Sequence, residues 1–404
     1  MSRNVPKLRF NGFDGELKSF KFKQLVKLQR GSSPRPIVKY ITDSDDGVNW
    51  IKIGDVSKGE TIINSTKEKI TKEGALKSRF VQVGDLILSN SMSYGRPYIM
   101  GIDGYIHDGW FVLRDYENNF KRDYLCQLLT SSVIQKQYKK LAAGGVVDNI
   151  SSELVNSVSI KLPSLQEQEK IVNFLSKVDS IIEKQEKKVQ YWNSYKKGMM
   201  QKIFSQKIRF KDENGRDYPE WEERALKKII KEDLYPVNKP SVAYEKLSVR
   251  SHAKGTFSSR VDDPETVAMD TLYEVKENQL IVNITFAWEH AIAIVKKEDE
   301  GKLVSHRFPT YKFNSDCYYK FYEYVIKQSS IKYKLGLASP GGAGRNRVLN
   351  KKEFLKIEVQ HPCFGEQVKI ANFLSNIDNI IEKENQKLEE LKQWKKGLLQ
   401  QMFV

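Results

Sequence analysis

Residues 167–204, EQEKIVNFLSKVDSIIEKQEKKVQYWNSYKKGMMQKIF, and residues 366–403, EQVKIANFLSNIDNIIEKENQKLEELKQWKKGLLQQMF, align at a constant offset of 199 without a gap. Of their 38 positions, 19 are identical. Chance does not produce such a match, so one block is written twice along the chain. In the first copy a 4-3 spacing picks out Ile171, Leu175, Val178, Ile182, Gln185, Val189, Trp192, Lys196, Met199 and Ile203. In the second it picks out Ile370, Leu374, Ile377, Ile381, Glu384, Leu388, Leu391, Lys395, Leu398 and Met402. Eight of ten positions are apolar in each seam, no proline interrupts either, and helix formers fill the rest. Sustained 3.5-residue periodicity over four heptads predicts two long helices that pair as an antiparallel coiled coil. The polar seam residues Gln185, Glu384, Lys196 and Lys395 would set its register.

Outward from these blocks the repeat grows faint. Leu8-Arg9-Phe10 and then Phe20 are echoed by Ile208-Arg209-Phe210 and then Trp221; Gly144-Gly145 by Gly341-Gly342; Pro163 by Pro362. Between these markers the halves diverge almost completely. The chain therefore divides into an N-terminal segment 1–20, a variable block 21–162, a helix 163–205, a linker 206–220, a variable block 221–361 and a helix 362–404. A period near 200 residues is too long for a solenoid; it describes a pseudo-two-fold molecule on one chain.

Both variable blocks carry short β-rich runs bounded by Gly, Asp or Asn, such as 84-GDLILS-89 and 110-WFVL-113, then 278-NQLIVN-283 and 291-AIAIV-295. Helix-like stretches follow at 121–140 and 318–335. Each block reads as an α+β domain with a mixed or largely antiparallel sheet.

The 404 residues carry 67 Lys+Arg against 51 Asp+Glu, a net charge of +16. Block 21–162 holds +6 and block 221–361 holds +5, so no basic tail carries the excess. Two matched cationic domains suit a polyanion such as DNA. No stretch is apolar enough to span a bilayer and residues 1–20 lack a signal-peptide core, which points to the cytoplasm. The cysteines Cys126, Cys317 and Cys363 are too far apart in sequence for a clustered zinc motif, and the five histidines are dispersed, so no metal ligand set is expected. No phosphate-binding loop, dinucleotide fingerprint or aminomethyltransferase signature is present, and no catalytic residue is assigned.

Two divergent domains, each followed by a near-identical long helix, resemble the specificity subunit of type I restriction–modification enzymes. The most specific part is the duplicated E-Q-x-K-I-x-N-F-L-S-x-x-D-x-I-I-E-K at 167–184 and 366–383, with 84-GDLILS-89 also similar to the family's target recognition domains. The resemblance implies a non-catalytic chain that reads a bipartite double-stranded DNA site through two target recognition domains. It also implies docking of two methyltransferase subunits and two restriction-motor subunits, which would hold the S-adenosylmethionine, ATP and magnesium. A non-enzymatic coiled-coil scaffold whose end domains bind protein is the alternative. Base edges are read best by polar and cationic side chains on loops. Candidates in the first block are Asn90, Ser91, Ser93, Tyr94 and Arg96; in the second they are Arg250, His252, Lys254, Thr285, Trp288, Arg345, Asn346 and Arg347.

Overall fold

A computed structural model describes residues 4–56, 59–90, 95–142, 150–341 and 347–404. The chain forms two compact units, one of residues 1–188 and 385–404, the other of residues 189–384.

The first unit opens with strand Lys18–Lys21, antiparallel to Ser159–Leu162, the strand that leads into the first long helix. A five-stranded sheet follows in the order Lys27–Arg30, Trp110–Arg114, Leu86–Ser89, Pro97–Met100, Ile62–Ile63. A second runs Ile41–Thr42, Glu68–Ile70, Val48–Ile51, Gly104–Ile106, Arg79–Val81, with Val48–Ile51 and Gly104–Ile106 parallel. Helices Arg122–Thr130, Ser132–Ala142 and Ser152–Ser157 come between the sheets and the long helix.

The run Leu-Ile-Leu at 86–88 is apolar on both faces because its sheet is a middle layer. Leu86 and Leu88 pack toward the helices with Leu125, Leu129, Ile171 and Leu175. Ile87 points the other way, into the second sheet with Ile51, Val81 and Trp110. Period-two geometry thus sends alternate residues of one strand into two cores.

The second unit repeats this plan. Strand Glu222–Ala225 pairs with Glu358–His361. One sheet runs Ile230–Glu232, Thr310–Phe313, Leu280–Val282, Ile292–Ile294; the other runs Tyr235–Asn238, Thr271–Glu274, Leu303–Val304, Tyr244–Val249, Thr256–Val261. Leu280 and Val282 face the helical core and Ile281 the second sheet. The shared frame differs at its margins, where each unit adds a strand to the opposite edge of its second sheet. The strand pairings also correct one echo read from sequence. Glu222 faces His361 as Lys18 faces Leu162, so Trp221 matches Leu17 and Phe20 matches Arg224.

The long helices are Leu165–Phe204 and Phe364–Met402, about 60 Å each at 1.5 Å per residue. None of the twenty seam positions is exposed. In the first unit Asp179 pairs with Lys395 and Glu186 with Lys392, so the two chains of helix run antiparallel. In the second unit Lys196 pairs with Asp378, the same contact 199 residues on. Each seam lysine thus reaches a carboxylate one helix over. The ends of the seam also serve the domain cores. Ile171, Leu175 and Val178 join Leu398 and Met402 in the first unit, and Ile370, Leu374 and Ile377 join Ile203 in the second. No helix among the described residues is long and apolar enough to cross a membrane.

Candidate nucleic-acid interface

The Glu-Gln dipeptide that opens each conserved block is a brace. Glu167 is buried at the start of the first long helix and accepts from Arg9 Nε at 2.7 Å and Nη2 at 2.9 Å. Glu366, fully buried, accepts from Arg209 Nη2 at 2.8 Å and from Trp221 Nε1 at 2.8 Å. Each carboxylate sits where the helix dipole favours negative charge. The Arg9 and Arg209 guanidiniums are pushed above their ordinary range, first by these hydrogen bonds. Gln168 donates to the Asn119 and Pro163 carbonyls and accepts from the Lys121 amide; Gln367 does the same with Asp316, Pro362 and Tyr318. Phe10 meets Phe174 edge-on, and Phe210 meets Phe373. These residues lock each domain to its helix. Their exact repetition was the available signal, although no role could be read from it.

The strand that leads to the candidate loops begins at equivalent turns in spite of unlike sequences. Gly84 and Asn278 both have positive φ, 89° and 68°, and donate their amides to Met100 O and Val295 O. Asp85 and Gln279 each accept from the amide three residues earlier, Gln82 and Lys276. Glycine and asparagine are the residues that tolerate this backbone region most easily. The departure from G-D-L-I-L-S to N-Q-L-I-V-N thus preserves the turn.

In the first unit the loops gather on Asp108. Its carboxylate accepts from Ser33 Oγ and Arg35 Nη2, each at 3.0 Å, and its carbonyl from Arg30 Nε at 3.1 Å and Asn90 Nδ2 at 2.8 Å. Burial raises and hydrogen bonding lowers the Asp108 carboxyl; with His107 and the arginines added, the outcome lies below its ordinary range. Asn90 is buried and holds the chain on both sides, donating its amide to Gly109 O and accepting from Ile150 N at 2.6 Å. Arg96 is exposed, as are Arg30 and Arg35. Ser91, Ser93 and Tyr94 lie outside the described residues.

In the second unit the hairpin of Tyr244–Val249 and Thr256–Val261 carries Arg250, His252 and Lys254, all exposed, on its tip. His252 N donates to Glu289 O and Ala253 N to His290 O, both at 2.8 Å, and Ser251 Oγ donates to the Glu289 carboxylate at 2.6 Å. The tip is thereby fastened to the turn Ala287–Glu289. Thr285 Oγ1 accepts from Arg307 Nη1 at 3.3 Å, and the Arg347 guanidinium lies 5.7 Å from the Trp288 ring. The candidates Arg250, His252, Lys254, Thr285, Trp288 and Arg347 thus stand on one group of linked loops. Their availability differs. Arg347 also donates to the Ser339 and Gly336 carbonyls, and Arg250 lies over Phe257 while donating to Thr256 O. His252 and Lys254 project from positive-φ or flanking positions at the tip. Arg345 and Asn346 lie outside the described residues. Sequence reasoning missed Arg307, which only tertiary folding brings to Thr285.

A family model for the type I restriction modification DNA specificity domain matches the chain twice, over residues 15–190 and 220–393. The type I restriction enzyme MjaVIII specificity subunit of Methanocaldococcus jannaschii is 27% identical over 353 residues, covering 80% of this chain and 79% of that protein. A chain from a structure of complex assembly in a type I R-M system superposes with a TM-score of 0.62 at 14% identity, covering 97% of this chain and 98% of that one. The HsdS subunit from Thermoanaerobacter tengcongensis gives 0.52 at 15% identity, with 96% of each chain covered. Two copies of the family domain, together accounting for most of its length, place this chain in the type I restriction–modification DNA specificity family, as a specificity subunit with two DNA-recognition domains.

Proposed function

We propose that each unit reads one half of a bipartite double-stranded DNA target, and that the paired helices set the spacer between the halves. The observation that supports this most is one topology used twice, with unlike loop tips on equivalent turns and matching braces at Arg9–Glu167 and Arg209–Glu366. Different tips on one frame are what two different half-sites require; matching Arg–Glu braces are what a common ruler requires. In the second unit the reading surface is the tip 250–255 with Thr285, Trp288 and Arg307; in the first it is Arg96 with Arg30 and Arg35. The helices also dock two methyltransferase subunits, which bring S-adenosylmethionine, and restriction-motor subunits join them with ATP and magnesium. The chain itself is non-catalytic and works in the cytoplasm. The family match is to a DNA specificity domain, which disfavours a scaffold that binds only proteins.

Inserting one heptad at corresponding positions of both long helices tests the ruler. Seven residues add about 10 Å of helix, about three base pairs at 3.4 Å each. Methylome sequencing of a strain carrying matched partner subunits should show the same half-sites with a longer spacer. Altered half-sites with an unchanged spacer would overturn the reading. DNA binding that hardly weakens with added salt would restore the protein-scaffold alternative.

A further inference from the structure

The second unit carries a polar cluster where the first has Asn119, Phe120 and Leu162. Asp316, Cys317 and His361 offer an oxygen, a sulfur and a ring nitrogen that all lie within 4.8 Å of one another. The buried glutamines fix the equivalence between units. Gln367 bonds the residues on either side of Cys317, and Gln168 bonds those on either side of Phe120. Strand pairing likewise sets His361 level with Leu162. A thiol and an imidazole thus replace a phenyl ring and a leucine side chain at buried positions, which costs free energy unless the polar atoms gain partners.

The partners present are those of a prepared ligand set. His361 Nδ1 lies 2.6 Å from the Tyr322 hydroxyl, which orients the ring and places Nε2 on the Asp316 side, 3.9 Å from its Oδ2. An imidazole held through its far nitrogen is the usual arrangement around a bound metal. Cys317 Sγ lies 3.4 Å from Asp316 Oδ1, close to the roughly 3.5 Å edge that zinc–sulfur and zinc–oxygen bonds subtend in a tetrahedron. Arg224 donates to Asp316 Oδ2 at 2.5 Å and also pairs with Glu222, so Oδ1, which the Cys317 thiol faces, is the oxygen that Arg224 leaves to a metal. The charges of a doubly positive ion, the Cys317 thiolate, Asp316, Glu222 and Arg224 sum to zero. Asp316 is exposed, which gives the cluster an opening to solvent.

We propose that Asp316, Cys317 and His361 bind a divalent ion of the zinc class, with water as fourth ligand. One sulfur, one nitrogen and one oxygen favour zinc or cobalt over magnesium or calcium. Binding releases one proton, from the Cys317 thiol. The three cysteines remain dispersed in sequence; the fold brings His361 to the adjacent pair Asp316-Cys317, which spacing did not reveal.

Full-length protein stripped with a chelator and titrated with Co²⁺, under a non-thiol reductant, tests this. The wild type should develop tetrahedral visible bands and a near-ultraviolet thiolate-to-cobalt band that saturate at one equivalent and vanish on adding zinc. Cys317→Ser and His361→Leu should abolish them, while Cys126→Ser and Cys363→Ser keep them. His361→Leu installs the residue the first unit uses, and a wild-type melting curve without metal would show that its lost signal is not unfolding. Absence of the bands in folded wild type, or their survival in Cys317→Ser, would overturn the assignment.

Discussion

Arg209→Ala removes the partner of a carboxylate with no solvent contact. In the wild type Glu366 accepts from Arg209 Nε at 3.3 Å, from Arg209 Nη2 at 2.8 Å and from Trp221 Nε1 at 2.8 Å. The substitution leaves one neutral donor and the helix dipole against a buried charge. Breaking a buried pair on one side costs about 3–5 kcal/mol. For a unit of this size each kcal/mol lowers Tm by roughly 2–4 °C, so the second unit should melt about 6–20 °C earlier. The reverse removal is milder. Without Glu366, Arg209 keeps Glu220 and the carbonyls of Tyr218 and Pro219. Calorimetry of Arg209→Ala, Glu366→Leu and the double variant Arg209→Leu/Glu366→Leu forms the comparison. The double variant should recover much of the loss of Arg209→Ala, because no unpaired charge remains. Equal losses in the two single variants, or a double variant no more stable than Arg209→Ala, would refute the buried-charge account.

Asn90→Ala should cost about 0.5–1.5 kcal/mol, seen as a lower urea midpoint, because Asp108 O loses one donor and keeps Arg30 Nε. Arg96→Ala should leave the urea midpoint unchanged and weaken DNA binding; a base contact relaxes one target position, a phosphate contact weakens all sequences alike. Gly84→Ala forces a side chain into a turn at φ 89° and should destabilise by roughly 1–2 kcal/mol, whereas Gly84→Asn, the residue of the second unit's turn, should cost less. Buried His290, its Nε2 2.6 Å from Ile326 O, is held below the ordinary histidine range chiefly by burial. As pH falls below about 6.5 the unfolded chain gains a proton that the folded one refuses, so stability drops; denaturation curves of His290→Leu should show a flatter decline.

The seam was legible because its 3.5-residue period is local information, and all twenty positions proved buried or half-buried. The strand at 84–89 was legible from β-branched and leucine residues between turn formers, and its double-sided burial explains why it showed no polar alternation. The correspondence of Trp221 with Leu17 was not legible, since Trp221 shares its aromatic character with Phe20 and only strand register decides the match. The loop candidates were chosen by side-chain type. Type does not distinguish Asn90, spent on Asp108, from Arg96, left exposed, because that difference is made by a residue 18 positions away. Equally, Cys317 and His361 are 44 residues apart, and a fold is needed to make them neighbours.

The first unit takes in residues 385–404, whereas the second is built from the unbroken stretch 189–384. During synthesis the second unit has all its strands and core helices once residue 384 has emerged. The first lacks the part of its core that Leu398, Met402 and Phe403 supply until those residues arrive. The half made earlier is thus completed later, and during that interval its apolar surface is open to chaperones, to proteases and to neighbouring nascent chains. A nick near residue 385 would cut the first unit from the segment that carries Leu398, Met402 and Phe403, while the second unit keeps its whole chain.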